Sequence, residues 1–214
     1  MADPELVGFF FLIRLARVYT RIFHGRVELS TRAMRAVGLS RHIRDGAVFY
    51  GYRGSLYPET VALGHGMSHI KDFALTYCRG TGLDIGANRW PLPGAHAVDN
   101  RPGENAYCLD RWAEASLDFV FSSHCLEHLH DWRNALLLWI SRLKPGGILF
   151  LYLPHASMTL WQPGSPWVGD DHVWSPTVDA IVPVLQQAGM EIVTFDSGPD
   201  DYFSFHIVAR KTGL

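Results

Sequence analysis

The chain has 214 residues, the size of one α/β domain with a small extension. Hydrophobic residues make up 48% and charged residues 19%, which supports a packed core and excludes disorder along the whole chain. Lys and Arg number 19 against 21 Asp and Glu, so the formal charge is −2 and the basic excess of a nucleic-acid binder is absent. Three cysteines, at 78, 108 and 125, form no CxxC pair. Reduced thiols in a cytoplasmic protein are therefore expected, not a disulfide scaffold or a zinc finger. The start Met-Ala-Asp-Pro-Glu is acidic where a signal peptide would be basic, and the apolar run Val7 to Ile13 is too short to span a bilayer.

In chain order, residues 5–23 read as a helix, with Pro4 in its first turn and Gly25 after its end. Arg14, Arg17 and Arg21 fall on one stripe of it. Packing on the domain with the Arg row in water is the simple expectation; contact with a membrane surface or a partner is the sharper one. A short helix is expected near 31–37, a loop over 46–66, and a helix capped by Ser68 that runs to Cys78. From residue 81 short apolar runs alternate with helical patterns. Strands are expected at 82–85, 95–98, 106–109, 117–121, 148–153, 190–195 and 203–210. Helices are expected at 130–143 and 176–188, with Lys144-Pro145-Gly146-Gly147 as a turn and an aromatic loop at 155–175. Such alternation implies an α/β fold, a doubly wound, mostly parallel seven-stranded sheet in residues 67–214, preceded by a helical and loop extension over 1–66.

The strongest local signal is Leu83-Asp84-Ile85-Gly86-Ala87-Asn88, a strand running into a glycine turn. Gly86 lets the backbone approach a ligand closely. The next strand ends in Asp99, whose carboxylate suits the two hydroxyls of a ribose, and ligands of such sheets sit beyond the carboxyl ends of the strands. The dinucleotide fingerprint GxGxxG is missing, because Ala87-Asn88-Arg89-Trp90 follows Gly86 and Pro91 and Pro93 leave no room for a helix. This speaks against a nicotinamide or flavin oxidoreductase.

Three segments in order, LDIGAN at 83–88, the strand and EHL at 117–129, and LKPGG at 143–147 before a strand, resemble the class I S-adenosylmethionine-dependent methyltransferases of the type 11-like group, over roughly residues 68–210. The resemblance implies a Rossmann-like fold and S-adenosylmethionine as cofactor. By that resemblance Asp84, Gly86, Ala87 and Asn88 flank the methionine part, Asp99 with Asn100 holds the ribose, Leu109 and Asp110 meet the adenine, and Ser122 and Ser123 start the segment beneath methionine and substrate.

Methyl transfer from a sulfonium needs mainly positioning, helped by a base where the acceptor is a hydroxyl. His124, His155 and His172 are the candidate catalytic residues, and a carboxylate of Asp170 or Asp171 could orient His172. Trp161, Trp167 and Trp174 could stack on a sugar or another ring, or pack on each other. The expected acceptor is thus a small molecule or a glycan-like group, methylated on oxygen. His124-Cys125-Leu126-Glu127-His128 also spells the H-x-x-E-H of one zinc-protease class. Proteolysis would need both histidines on one helix face. A divalent-metal-assisted methyltransferase using His124, Glu127 and His128, with His172 as a further ligand, is one alternative; structural capping by Glu127 and His128 is the plain one. A methyltransferase-like binding module without catalysis is another alternative. No metal site is expected.

Overall fold

The structure, a computed structural model, describes residues 31–62 and 65–213. The helix expected over 5–23, with its Arg row, lies outside the described residues. The chain divides into two compact units, Met1–Ala62 and Leu63–Leu214.

In the first unit, helix α1 (Thr31–Ala36) leads into strands β1 (Leu39–Arg44), β2 (Ala47–Tyr52) and β3 (Ser55–Pro58), closed by the single turn α2 (Glu59–Ala62). The strands form an antiparallel meander. This corrects the loop expected at 46–66. Each hairpin turns on two residues with positive φ, Asp45 at 49° with Gly46 at 79°, and Arg53 at 47° with Gly54 at 84°. That twist matches the twist of the flanking strands. Four consecutive residues of β1, Arg41 to Arg44, are exposed, so no apolar alternation marks it as a strand.

The second unit contains helix α3 (Met67–Tyr77), strands β4 (Gly82–Ile85), β5 (His96–Val98) and β6 (Leu117–Ser123), helix α4 (Trp132–Arg142), strand β7 (Leu143–Pro154), helix α5 (Val178–Gln187), and strands β8 (Met190–Asp196) and β9 (Ser204–Lys211). Its sheet runs β5-β4-β6-β7-β9-β8. β5, β4, β6 and β7 pair in parallel, while β9 is antiparallel to both its neighbours. The α/β, mostly parallel architecture is as expected, with six strands among the described residues instead of seven. The missing one is 106–109. Asn105 and Cys108 exchange two backbone hydrogen bonds of 3.0 Å and the Asn105 side chain accepts from the Tyr107 N–H at 2.9 Å, so this stretch is tight turns.

Sequence punctuation explains the element ends. Ser68 does not cap α3; its hydroxyl donates to the His65 carbonyl at 3.0 Å. Thr177 does cap α5, accepting from the Ala180 N–H at 3.2 Å. Lys144 to Gly147 is not a free turn but a bulge at the start of β7, since Leu117 pairs with Leu143 and the next pair is Phe119 with Ile148. Lys144 is pinned there by the Asp118 carboxylate at 2.6 Å. Before α4 comes a 3₁₀ turn, Leu126–His128, which shortens the helix expected from 130. The core lies on both faces of the sheet, with Leu83, Ile85, Val120, Leu149 and Leu151 fully buried, and Trp139 of α4 packed on them. Burial of a side chain of that size contributes roughly 1.5–3 kcal/mol. Among the described residues no helix is long and apolar enough to cross a membrane.

Candidate active site

The carboxyl ends of β4, β5 and β6 carry the polar residues, as parallel strands require. Ile85 pairs with Val98, so the turn after β4 lies against the tip of β5. The Val98 carbonyl accepts from the Gly86 N–H at 2.9 Å and the Ala87 N–H at 3.3 Å. Asp99 follows directly, its carboxylate accepting from the Asn100 N–H at 2.8 Å. Gly86 has φ +84°, and a Cβ there would meet Cys125 Cβ at 2.5 Å and Sγ at 2.7 Å, so only glycine fits this turn without strain. Asn88 also adopts a positive φ, 47°, a conformation Asn tolerates better than most residues.

A cleft of about 80 Å³ opens here, lined by Gly66, Met67, Asp84, Gly86, Ala87, Asn88, Trp90, Ser123 and His124. Asp84 is buried, and one of its oxygens accepts from the Leu92 N–H at 2.7 Å. That bond holds the turn that stands where other such folds place a helix. Burial pushes the Asp84 carboxyl up to about 7, with the Leu92 bond acting in the opposite sense. Trp90 stacks on His65, ring centroids 4.1 Å apart. Gly66 approaches so closely that a Cβ would lie 3.0 Å from the His124 ring. The start of α3 therefore forms one side of the cleft, where the positive end of the helix dipole favours an anionic group.

Of the sequence-derived cofactor residues, Asp84, Gly86, Ala87, Asn88 and Ser123 line the cleft. Asp99 and Asn100 stand beside it at the tip of β5. Cys125, which packs beneath Gly86, senses both Asp84 and Asp99; burial above all, and then the charge of Glu127, drives its thiol up to about 12. Ser122 is fully buried, and its hydroxyl donates to the Ile85 carbonyl at 2.8 Å, fixing β6 against β4. Leu109 is likewise fully buried in the core, and its neighbour Asp110 is exposed; neither lines the cleft. Gly66, Met67 and Trp90 line it without having been singled out from sequence. His65-Gly66 directly before a helix start was the available signal.

The three candidate histidines separate. His124 lines the cleft, in positive-φ backbone at 50°, and shares a hydrogen bond of 2.9 Å with the Ser204 hydroxyl. Trp161, Tyr152 and Tyr202 meet its ring edge to face. Burial, then the neighbouring His172 and His128, lowers its pKa to about 3, so the imidazole is neutral. His155 bonds Ser157 at 2.9 Å and is not part of the cleft lining. His172 is buried and donates from Nδ1 to the Trp161 carbonyl at 2.6 Å, so a backbone oxygen orients it where a carboxylate was expected. H-x-x-E-H does not share a helix face, because His124 follows the end of β6 at Ser123 while Glu127 and His128 belong to the 3₁₀ turn. That arrangement removes the protease geometry. Glu127 gathers with His128 and His172 in a cluster of ligating atoms within 4.8 Å of one another, and His124 Nδ1 lies 3.6 Å from Glu127 Oε1. Trp161 and Trp174 turn inward, Trp174 stacking on Trp132 at 4.5 Å and donating to the Leu126 carbonyl at 2.8 Å.

A family model described as a methyltransferase domain matches residues 63–194, more than half of the chain. The chain belongs to the class I methyltransferase family. S-adenosylmethionine is its cofactor, and the methyl group on the sulfonium of that cofactor is what the enzyme transfers. The site fits it in the kind of groups present: a glycine turn, a buried carboxylate and an acidic strand tip stand together around an open cleft at the carboxyl edge of the sheet. Solved structures show the same fold. A Thermotoga maritima S-adenosylmethionine-dependent methyltransferase, described as a possible histamine N-methyltransferase, shares 15% identity at a TM-score of 0.54, over 71% of this chain and 92% of that one. A chain from the complex of the Haloferax volcanii Trm112 methyltransferase activator with a methyltransferase shares 14% identity at 0.53, over 72% and 95%. A Listeria monocytogenes protein classed with the S-adenosylmethionine-dependent methyltransferases shares 13% identity at 0.51, over 71% and 100%. No curated protein matches the chain.

Proposed function

We propose that the chain methylates a hydroxyl oxygen of a small-molecule or glycan-like acceptor, with His124 as the group that meets the acceptor. His124 carries this reading: it lines the cleft together with the cofactor turn, and burial keeps its imidazole neutral and able to accept a hydrogen bond. In this assignment Asp99 and Asn100 hold the ribose, Asp84, Gly86, Ala87 and Asn88 flank the methionine part, and Ser123 lies beneath it. The assignment of Leu109 and Asp110 to the adenine comes from the family resemblance. Three free thiols favour the reducing cytoplasm as the chain's compartment.

The test is a panel of hydroxyl, amine and thiol acceptors incubated with S-adenosylmethionine labelled in its methyl group. Label is expected on oxygen, identified by the methyl carbon shift in NMR, and His124→Ala should lower kcat more than cofactor affinity. Label found solely on nitrogen or sulfur would refute the oxygen assignment.

A further inference from the structure

Glu127 is fully buried, and neither of its carboxylate oxygens has a hydrogen-bond partner. Such a group is rare, because a buried carboxylate needs donors or a cation to replace its lost water. What faces it is three imidazoles, with His124 Nδ1 at 3.6 Å, His128 Nε2 at 3.9 Å and His172 Nε2 at 4.0 Å from Oε1.

Two of those rings are locked from behind. His128 Nδ1–H donates to the Asp171 carbonyl at 2.7 Å, and His172 Nδ1–H donates to the Trp161 carbonyl at 2.6 Å. A neutral imidazole with its proton on Nδ1 presents a lone pair on Nε2, not a donor. Both lone pairs are directed to the side where the carboxylate stands, and the rings cross at 89° with centroids 4.6 Å apart. Two nitrogen lone pairs and an anionic oxygen thus converge within 4.8 Å. A proton shared within the cluster or a bound cation relieves this, and the cation uses all three ligating groups at once.

We propose that Glu127, His128 and His172 form a binding site for a divalent transition-metal ion of the zinc class. Two imidazoles and one carboxylate suit such an ion better than magnesium or calcium, which take mainly oxygen. Nδ1–H donation to a backbone carbonyl is the outer contact by which metal-bound histidines are usually held. Tetrahedral bonds of about 2.0–2.2 Å place neighbouring ligand atoms roughly 3.3–3.5 Å apart. The cluster therefore tightens modestly on loading. Its open side leaves room for a water as fourth ligand. The loop that supplies His172 is already anchored to the turn that supplies Glu127, through the Val173 N–H to the Glu127 carbonyl at 2.9 Å. The ion would stand one residue removed from the cleft, in contact with His124, and its presence does not depend on which acceptor is methylated.

The test uses the full chain, stripped with chelator, reloaded with zinc, gel-filtered and assayed by inductively coupled plasma mass spectrometry, with affinity from competition against a chromophoric chelator. About one zinc per chain is expected. Glu127→Gln, His128→Ala and His172→Ala should each weaken binding at least 100-fold, while His130→Ala, an exposed neighbour, keeps it. Calorimetric binding of S-adenosylhomocysteine reports that each variant is folded; His128→Ala, altered at an exposed side chain, guards against collapse of the other two. Cobalt loading should give the intense visible bands of a four-coordinate site in the parent and not in His128→Ala. A parent that retains no zinc, or variants that retain as much as the parent, would overturn the proposal.

Discussion

Gly86→Ala tests the construction of the cofactor turn directly. The added Cβ would lie 2.5 Å from Cys125 Cβ and 2.7 Å from its Sγ, in a backbone with φ +84°. The left-handed conformation costs an alanine roughly 1–2 kcal/mol, and overpacking against Cys125 costs roughly another 1–3 kcal/mol. A total near 3 kcal/mol should lower Tm by roughly 6–12 °C for a unit of this size. Differential scanning calorimetry measures it, and titration with S-adenosylhomocysteine should show weakened binding in parallel. Glycine at 125 removes the clashing atoms without touching φ. A double-mutant cycle of Gly86→Ala with Cys125→Gly should therefore return a favourable coupling of about 1–2 kcal/mol, leaving the backbone part of the loss. If Gly86→Ala melts within a degree of the parent, or the cycle is additive, Cys125 is not the floor of this turn.

Asp99→Ala should weaken S-adenosylhomocysteine binding by about 1–3 kcal/mol in calorimetry, the worth of its charged hydrogen bonds; unchanged affinity removes the ribose assignment. Asp84 predicts a pH effect. Its folded-state value of about 7 stands above the unfolded 3.8, so the folded protein binds the extra proton and stability falls as pH climbs from about 4 to about 7. Asp84→Asn should accordingly melt higher than the parent at pH 8, by a few kcal/mol at most, and close to it at pH 4.5; a constant difference across that range contradicts the buried, uncompensated carboxyl. Trp139→Phe orphans the Ala106 carbonyl that Nε1 reaches at 2.8 Å, besides shrinking a fully buried ring. Urea unfolding should show a loss of about 2–4 kcal/mol, and a loss under 1 kcal/mol would mean that the carbonyl finds another donor.

Elements that bury apolar residues on both faces announce themselves in the sequence. Gly82–Ile85 is wholly buried between a glycine and the Gly86 turn, and 204–211 alternates little because β9 is an inner strand, so short apolar runs located both. The meander β1–β3 hid behind its exposed charges, although Asp45-Gly46 is a hairpin dipeptide that could have revealed it. Residues 106–109 misled because Leu109 is truly buried while the Asn105 side chain bends the chain into a turn. At the site, the glycine turn and the strand-end acids were legible from spacing, as they depend on one crossover. The grouping of Glu127 with His128 and His172 was one alternative raised from residue types; the carbonyls that hold both rings from behind carry no signature in residue type and were not legible.

β9 has a consequence for biogenesis. It lies between β7 and β8, both earlier in the chain, and it supplies the Ser204 hydroxyl that holds His124. A nascent chain that already contains the glycine turn, Asp99 and His124 still leaves β7 with an open edge and its imidazole untethered until the final strand threads in. Competence for chemistry thus arrives with completion of the sheet, and the half-made enzyme presents an unpaired strand to chaperones instead of a working cleft.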